Sequence, residues 1–160
     1  MDIIIEKGSP EYINDCEEAL LNSELGRMYF SSEGSARNAI LEGLGQGNLY
    51  VALTNSDCAG FIYYIPKGAF HSFPYLHIIS VKEEYRGKEI GKKLINFLED
   101  MVFEKANKIF LVVADFNPVA KGFYEKIGYR QIGEIPGLYR KGVTEYLMMK
   151  EKEETAPCLD

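Results

Sequence analysis

With 160 residues, 46% of them hydrophobic and 26% charged, the chain is long enough to bury one sizeable core and has an ordinary globular composition. A formal net charge of -6 with no long basic run argues against a nucleic-acid partner and suits a cationic one. The opening MDIIIEKGSPEY resembles neither a secretory leader nor a membrane span, so the expected setting is the cytoplasm with no membrane partner. Cys16, Cys58 and Cys158 are odd in number and far apart, which supports neither a disulfide framework nor a zinc site. They read as two core thiols and one tail thiol, and no metal is expected.

In chain order, DIIIEK predicts a short strand. Ser9 is placed to cap a helix with Pro10 at its first position, and Ile13, Cys16, Leu20 and Leu21 supply part of its apolar face. SARNAILEGLGQ predicts a second helix, halted where Gly43, Gly45 and Gly47 accumulate. Three strands follow, NLYVALT, AGFIYYI and YLHIISV, the first two joined by a hairpin turn at TNSDC. His71, in KGAFHSFPY, reads as an exposed loop residue. From Glu89 the apolar residues Ile90, Leu94, Ile95, Leu98, Met101 and Val102 recur on one helical face. KIFLVVA is a buried strand, NPVAKGFYEKIG a short helix and VTEYLMMK a last strand. The order β α α β β β α β α β implies a mixed α/β sheet in a single domain over residues 1–150, followed by a polar tail over 151–160.

The helix from Glu89 breaks a rule at its entrance. Arg86, Lys88, Lys92 and Lys93 crowd the first turn, where the helix dipole disfavours each base by roughly 0.3 to 1 kcal/mol. An anion resting on the free N–H groups of that turn would resolve the conflict, with Gly87 and Gly91 letting backbone come close to it. The alternative is a solvated cluster with Glu83, Glu84 and Glu89 as local counter-ions. A Walker-type loop is excluded, because Gly87 and Gly91 enclose three residues rather than four and Lys93 stands where that loop needs a hydroxyl. In NPVAKGFYEKIGY, Asn117 is a good N-cap, Pro118 fits the first helical position and Gly128 stops the helix. Tyr124 shares a face with Ala120, Phe123 and Ile127, which by itself reads as a core aromatic with its hydroxyl at the rim.

Taken together, VKEEYRGKEIGKKL and NPVAKGFYEKIGY resemble the GNAT superfamily of N-acetyltransferases, from about Asn48 to Lys150. The resemblance implies a mostly antiparallel, twisted mixed sheet with helices on both faces and central strands splayed to hold CoA. It implies acetyl-CoA as cofactor, with Arg86 and Gly91 at the two ends of the pyrophosphate motif and Gly87, Lys88, Glu89, Ile90 and Lys92 around it. Glu89 departs from the family pattern, standing where its first glycine is expected. Ile79, Ser80 and Val81 would serve the pantetheine arm, and Asn117 and Tyr124 would flank the thioester, with Tyr124 meeting the departing sulfur. The implied reaction is acetyl transfer to a primary amine of a small molecule or a peptide terminus, by direct attack in a ternary complex. A homodimer is compatible with it. Simple alternation puts Tyr75, His77, Ile79 and Val81 on one strand face, so His77 would share the cofactor's face. Its position resembles that of a catalytic base in arylalkylamine N-acetyltransferases, against the plainer reading of a buried histidine. The glutamate used by ribosomal-protein acetylating members is replaced by Val112. The reading from a different class is a non-catalytic acyl-CoA-binding sensor or interaction domain.

Overall fold

The computed structural model describes residues 1–154. Seven strands form one sheet: β1 (Ile3–Lys7), β2 (Leu49–Thr54), β3 (Asp57–Ala69), β4 (Phe73–Val81), β5 (Lys108–Ala114), β6 (Arg130–Pro136) and β7 (Thr144–Glu151). Their spatial order is β1-β2-β3-β4-β5-β7-β6, and every neighbouring pair is antiparallel except β4 with β5. Among the described residues the α-helices are α1 (Ile13–Leu21), α2 (Glu24–Tyr29), α3 (Ser35–Gln46), α4 (Ile90–Val102) and α5 (Pro118–Lys126). The mixed, mostly antiparallel α/β sheet expected from the sequence is therefore present.

Adjacent residues of a strand point to opposite faces, and here both faces are covered. Leu94, Ile95 and Leu98 of α4 pack in one cluster with Ala52, Ile62, Leu111 and Met148. Cys16, Ala19 and Leu20 of α1 and Ile40 of α3 pack in another with Val51, Phe61 and Tyr63. Burial on both sides explains why β3 reads as an unbroken apolar run rather than an alternating one. The predicted hairpin turn is made by Asn55 and Ser56, both left-handed (φ 50° and 71°), between the paired Thr54 and Asp57. Cys16 and Cys58 are buried free thiols and His71 is exposed. Cys158 lies outside the described residues.

Several expectations are corrected. Pro10–Tyr12 forms a single 3-10 turn and α1 starts only at Ile13; the Ser9 hydroxyl donates to Glu11 Oε1 (3.1 Å) instead of capping the backbone. Both α2 and β6 are additional to the predicted elements. β7 extends to Glu151, and the N–H of Lys152 donates to the carbonyl of Asn107 (2.9 Å).

The largest correction concerns β4. Its register with β3 pairs Tyr63 with Ile78 but Tyr64 with Leu76, so His77 is an extra residue, a β-bulge. The bulge resets the alternation. Leu76, Ile79 and Val81 pack on the α4 side, whereas Ile78 joins the α1–α3 cluster and the Ser80 hydroxyl donates to the carbonyl of Ala19 in α1 (2.6 Å). The His77 ring packs edge-on against Tyr63, with centroids 5.1 Å apart, on the α1–α3 side. His77 therefore does not share a face with Ile79 and Val81.

Candidate active site

β4 and β5 are parallel neighbours that pair at one position only, Tyr75 with Phe110. Past that point the strands part, and a cavity of about 1010 Å3 opens between them. Ile79, Val81, Arg86, Gly91, Asn117 and Tyr124 line it from the α4–α5 side, Tyr29, His77 and Glu145 from the other, and Ser80, whose hydroxyl is bonded to α1, lines it as well. A second cavity of about 450 Å3 adjoins it at the start of α4, bordered by Gly87, Glu89, Ile90 and Lys92 and sharing Val81, Arg86 and Gly91 with the first. Of the residues predicted to hold a cofactor, Lys88 alone lines neither; its Nζ stands 5.6 Å from the Tyr85 ring centroid.

The entrance to α4 fits an anion. Among the described residues, none of Arg86, Lys88, Lys92 and Lys93 forms an ion pair, so Glu83, Glu84 and Glu89 do not act as their counter-ions. The first turn of α4 holds no acidic residue, and its N-terminal N–H groups have no acceptor within the helix. Gly87 (φ 76°) and Glu89 (φ 64°) are both left-handed, which accounts for a family glycine at the latter position: the backbone there asks for one. Glu89→Gly is expected to raise stability by about 1 kcal/mol, seen as a higher urea midpoint at unchanged m, and to hold or tighten acetyl-CoA binding. Loss of binding in that variant would mean that the carboxylate, not the backbone, makes the site. Arg86 has a structural duty as well. Its Nε donates to the Val81 carbonyl (3.1 Å) and its Nη2 to the Asn22 carbonyl at the end of α1 (2.8 Å), so it ties α1 to the end of β4.

At the other end of the gap, the Asn117 side chain caps α5, with Oδ1 accepting the N–H of Ala120 (3.3 Å), which leaves its amide donors available. Tyr124 is held by Phe123 (centroids 5.5 Å) and Tyr129 (5.8 Å). Burial alone pushes its phenol pKa up, and its hydroxyl has no hydrogen-bond partner among the described residues. A buried neutral donor at a cavity wall is equipped to meet negative charge that develops there.

Two residues that sequence reasoning missed stand on the far side. The Tyr29 hydroxyl donates to Glu145 Oε1 (2.9 Å), and Glu145, 2% exposed, leaves Oε2 buried without a partner. Burial raises the Glu145 pKa, and the bond from Tyr29 works against that rise. A signal for Glu145 existed: by alternation in VTEYLMMK it shares a face with Leu147 and Met149, an acid at an inward position. Tyr29 lies on α2, which the sequence reading did not foresee.

The architecture is that of a mixed α/β protein with a cavity passing between two splayed central strands. Residues 17–129 match the acetyltransferase (GNAT) family, and the chain belongs to that family. An uncharacterized N-acetyltransferase of Methanocaldococcus jannaschii is 41% identical over 80 residues, covering 48% of this chain and 51% of that protein, so the chain spans about half that relative's length. An acetyltransferase of the same family from Bacillus cereus superposes with a TM-score of 0.79 at 17% identity, covering 96% of this chain and all of that one. The structure of an aminoglycoside 6'-N-acetyltransferase complexed with coenzyme A superposes at 0.77 with 22% identity, covering 96% and 99%.

Proposed function

We propose that this chain transfers the acetyl group of acetyl-CoA to a primary amine of a small molecule or peptide terminus, by direct attack in a ternary complex. The observation that carries the reading is a cavity that runs from Arg86 and Gly91 at the start of α4, past Tyr124, to an aromatic and acidic wall on the opposite face of the sheet, with a second cavity bordered by Lys92 adjoining it at α4. The solved relative with coenzyme A bound supports a CoA thioester as the group in that cavity. Arg86 and the backbone from Gly87 to Gly91, with Lys92, would hold its pyrophosphate, and β4 from Ile79 to Val81 its pantetheine arm. Acetyl-CoA, when bound, supplies the activated acetyl group. The reading assigns catalysis to residues 1–150 and no role to a metal ion.

His77 is the proposed base. The bulge turns it away from the cofactor's face and toward the side from which an amine would approach. Burial lowers its pKa below the ordinary 6.5, with the Glu42 carboxylate partly opposing the shift. It is therefore neutral at pH 7 and able to accept a proton at its ring nitrogen. Protonation disables a base, so kcat/KM is expected to fall along an acid limb displaced below the ordinary imidazole range, and this limb should vanish in His77→Gln. Superimposable profiles for wild type and His77→Gln would leave water as the proton acceptor.

The test of the whole reading is thiol release from acetyl-CoA over a panel of primary amines, run beside calorimetric titration with acetyl-CoA. Amine-dependent release is the expected result. Binding without release for any amine would turn the assignment into that of an acyl-CoA sensor.

A further inference from the structure

The Tyr124 hydroxyl has no hydrogen-bond partner among the described residues, so nothing but packing aims it. A phenol O–H lies close to the plane of its ring, and the plane of Tyr124 is held by Phe123, its neighbour in α5, and by Tyr129 just past the helix. Tyr129 meets it edge-on, with centroids 5.8 Å apart and planes at 67°, and the Tyr129 N–H donates to the Tyr124 carbonyl (3.0 Å). Tyr129 is itself buried, and its hydroxyl has no partner among the described residues, so its ring rather than its hydroxyl makes its contacts.

A further pair of side chains bears on that ring. Lys150 of β7 places its Nζ 5.8 Å from the Tyr129 centroid, within reach of a cation–π contact. Lys150 is anchored in turn by both carboxylate oxygens of Glu99, a buried acid on α4, with Oε2 at 3.2 Å. Gly128 makes room for the lysine, because a Cβ there would stand 3.2 Å from the Lys150 Cε. An ion pair in such a place gives little net stability, since desolvation offsets the attraction. It does fix a cation over the Tyr129 ring.

We propose that Tyr129 is a positioning residue for Tyr124: its ring sets the plane of the Tyr124 ring, and the Glu99–Lys150 pair holds Tyr129 in place. The inference deepens the acetyl-transfer reading and rests on it for what Tyr124 does. A reacting group must be held within about 0.5 Å and 10–20° of its productive geometry, and a side chain without a hydrogen bond of its own depends on its neighbours for that. Misplacement by about 1 Å is enough to cost about a hundredfold in rate.

The experiment joins steady-state kinetics to 19F NMR of the full chain labelled with 3-fluorotyrosine, in which the Tyr124 signal is assigned by its loss in Tyr124→Phe. Tyr129→Leu removes the ring and Tyr129→Phe keeps it. In Tyr129→Leu the flip rate of the Tyr124 ring, read from 19F line shapes, should rise by about tenfold or more, and kcat should fall by about fivefold or more at unchanged KM for acetyl-CoA. Tyr129→Phe should show the wild-type flip rate and kcat. Added to Tyr124→Phe, Tyr129→Leu should cost nothing further in kcat, whereas damage to the fold at large would carry over. An unchanged flip rate in Tyr129→Leu, a kcat loss in Tyr129→Phe equal to that in Tyr129→Leu, or a full loss in the Tyr124→Phe background each overturns the proposal. If Tyr129→Leu does not fold, Glu99→Leu with Lys150→Met exchanges the pair for apolar side chains and is judged by the same flip rate and kcat. If no amine supports thiol release, the enzymatic reading falls, and the flip rates still decide whether Tyr129 positions Tyr124.

Discussion

Gly91→Asp is expected to cut acetyl-CoA affinity by at least a hundredfold while leaving the melting temperature unchanged or slightly raised. The two halves of that result have separate causes. A Cβ at Gly91 meets nothing closer than the Phe123 Cζ at 3.6 Å and the Val81 Cγ2 at 4.0 Å, so the fold accepts a side chain there. Gly91 lies in the first turn of α4, which holds no acid, and a carboxylate there gains roughly 0.3 to 1 kcal/mol from the helix dipole. Replacing glycine also restricts the unfolded chain, which adds to stability. The same carboxylate faces both cavities where they join, the proposed seat of the pyrophosphate. At about 4 Å and an effective dielectric of about 20, two like charges repel by about 4 kcal/mol, near three orders of magnitude in affinity. Gly91→Ala separates charge from bulk and should bind acetyl-CoA nearly as wild type does. Calorimetric titration of the three proteins, with thermal melts, reads all of this, and unchanged affinity in Gly91→Asp would move the anion away from α4.

What the sequence made legible is what depends on local periodicity. The apolar stripe of α4, the buried run of β5 from Lys108 to Ala114 and the bounded α5 all stand where spacing, capping and Gly128 place them. What it hid depends on partners distant in the chain. The bulge at His77 exists only in the pairing of β4 with β3, so strict alternation assigned the imidazole to the wrong face. β6 is an exposed edge strand whose Gly133 and Pro136 speak against a strand in isolation, although an edge tolerates both. α2 is six residues long and contains Gly26, at which a Cβ would stand 1.7 Å from the Leu20 carbonyl; the close approach of α1 demands that glycine, and no local pattern announces it. For the site, the end of the cavity at α4 was readable because misplaced cations and glycines mark it. The opposite wall, with Tyr29 on α2 and Glu145 on β7, is assembled by the fold across 116 residues of sequence.

Tyr124→Phe should lower kcat by about tenfold to a thousandfold with the KM for acetyl-CoA nearly unchanged. The hydroxyl has no partner in the free protein, so its removal breaks no hydrogen bond and should leave the melting temperature within about a degree or raise it. A group that binds nothing in the ground state and meets charge on the departing sulfur acts only in the transition state, and its loss appears in kcat. Its chemistry there is donation rather than full proton transfer. An ordinary tyrosine, near 10, is already a weaker acid than a thiol near 8.5 by about 2 kcal/mol, and burial drives the Tyr124 pKa higher still. In the proposed reaction the proton would therefore stay on the phenol oxygen while its hydrogen bond stabilises the sulfur. Steady-state kinetics with any amine accepted in the panel decides the matter. A raised KM with kcat intact would make Tyr124 a ground-state contact to the pantetheine arm, and unchanged kcat and KM together would return it to the role of a packed core aromatic.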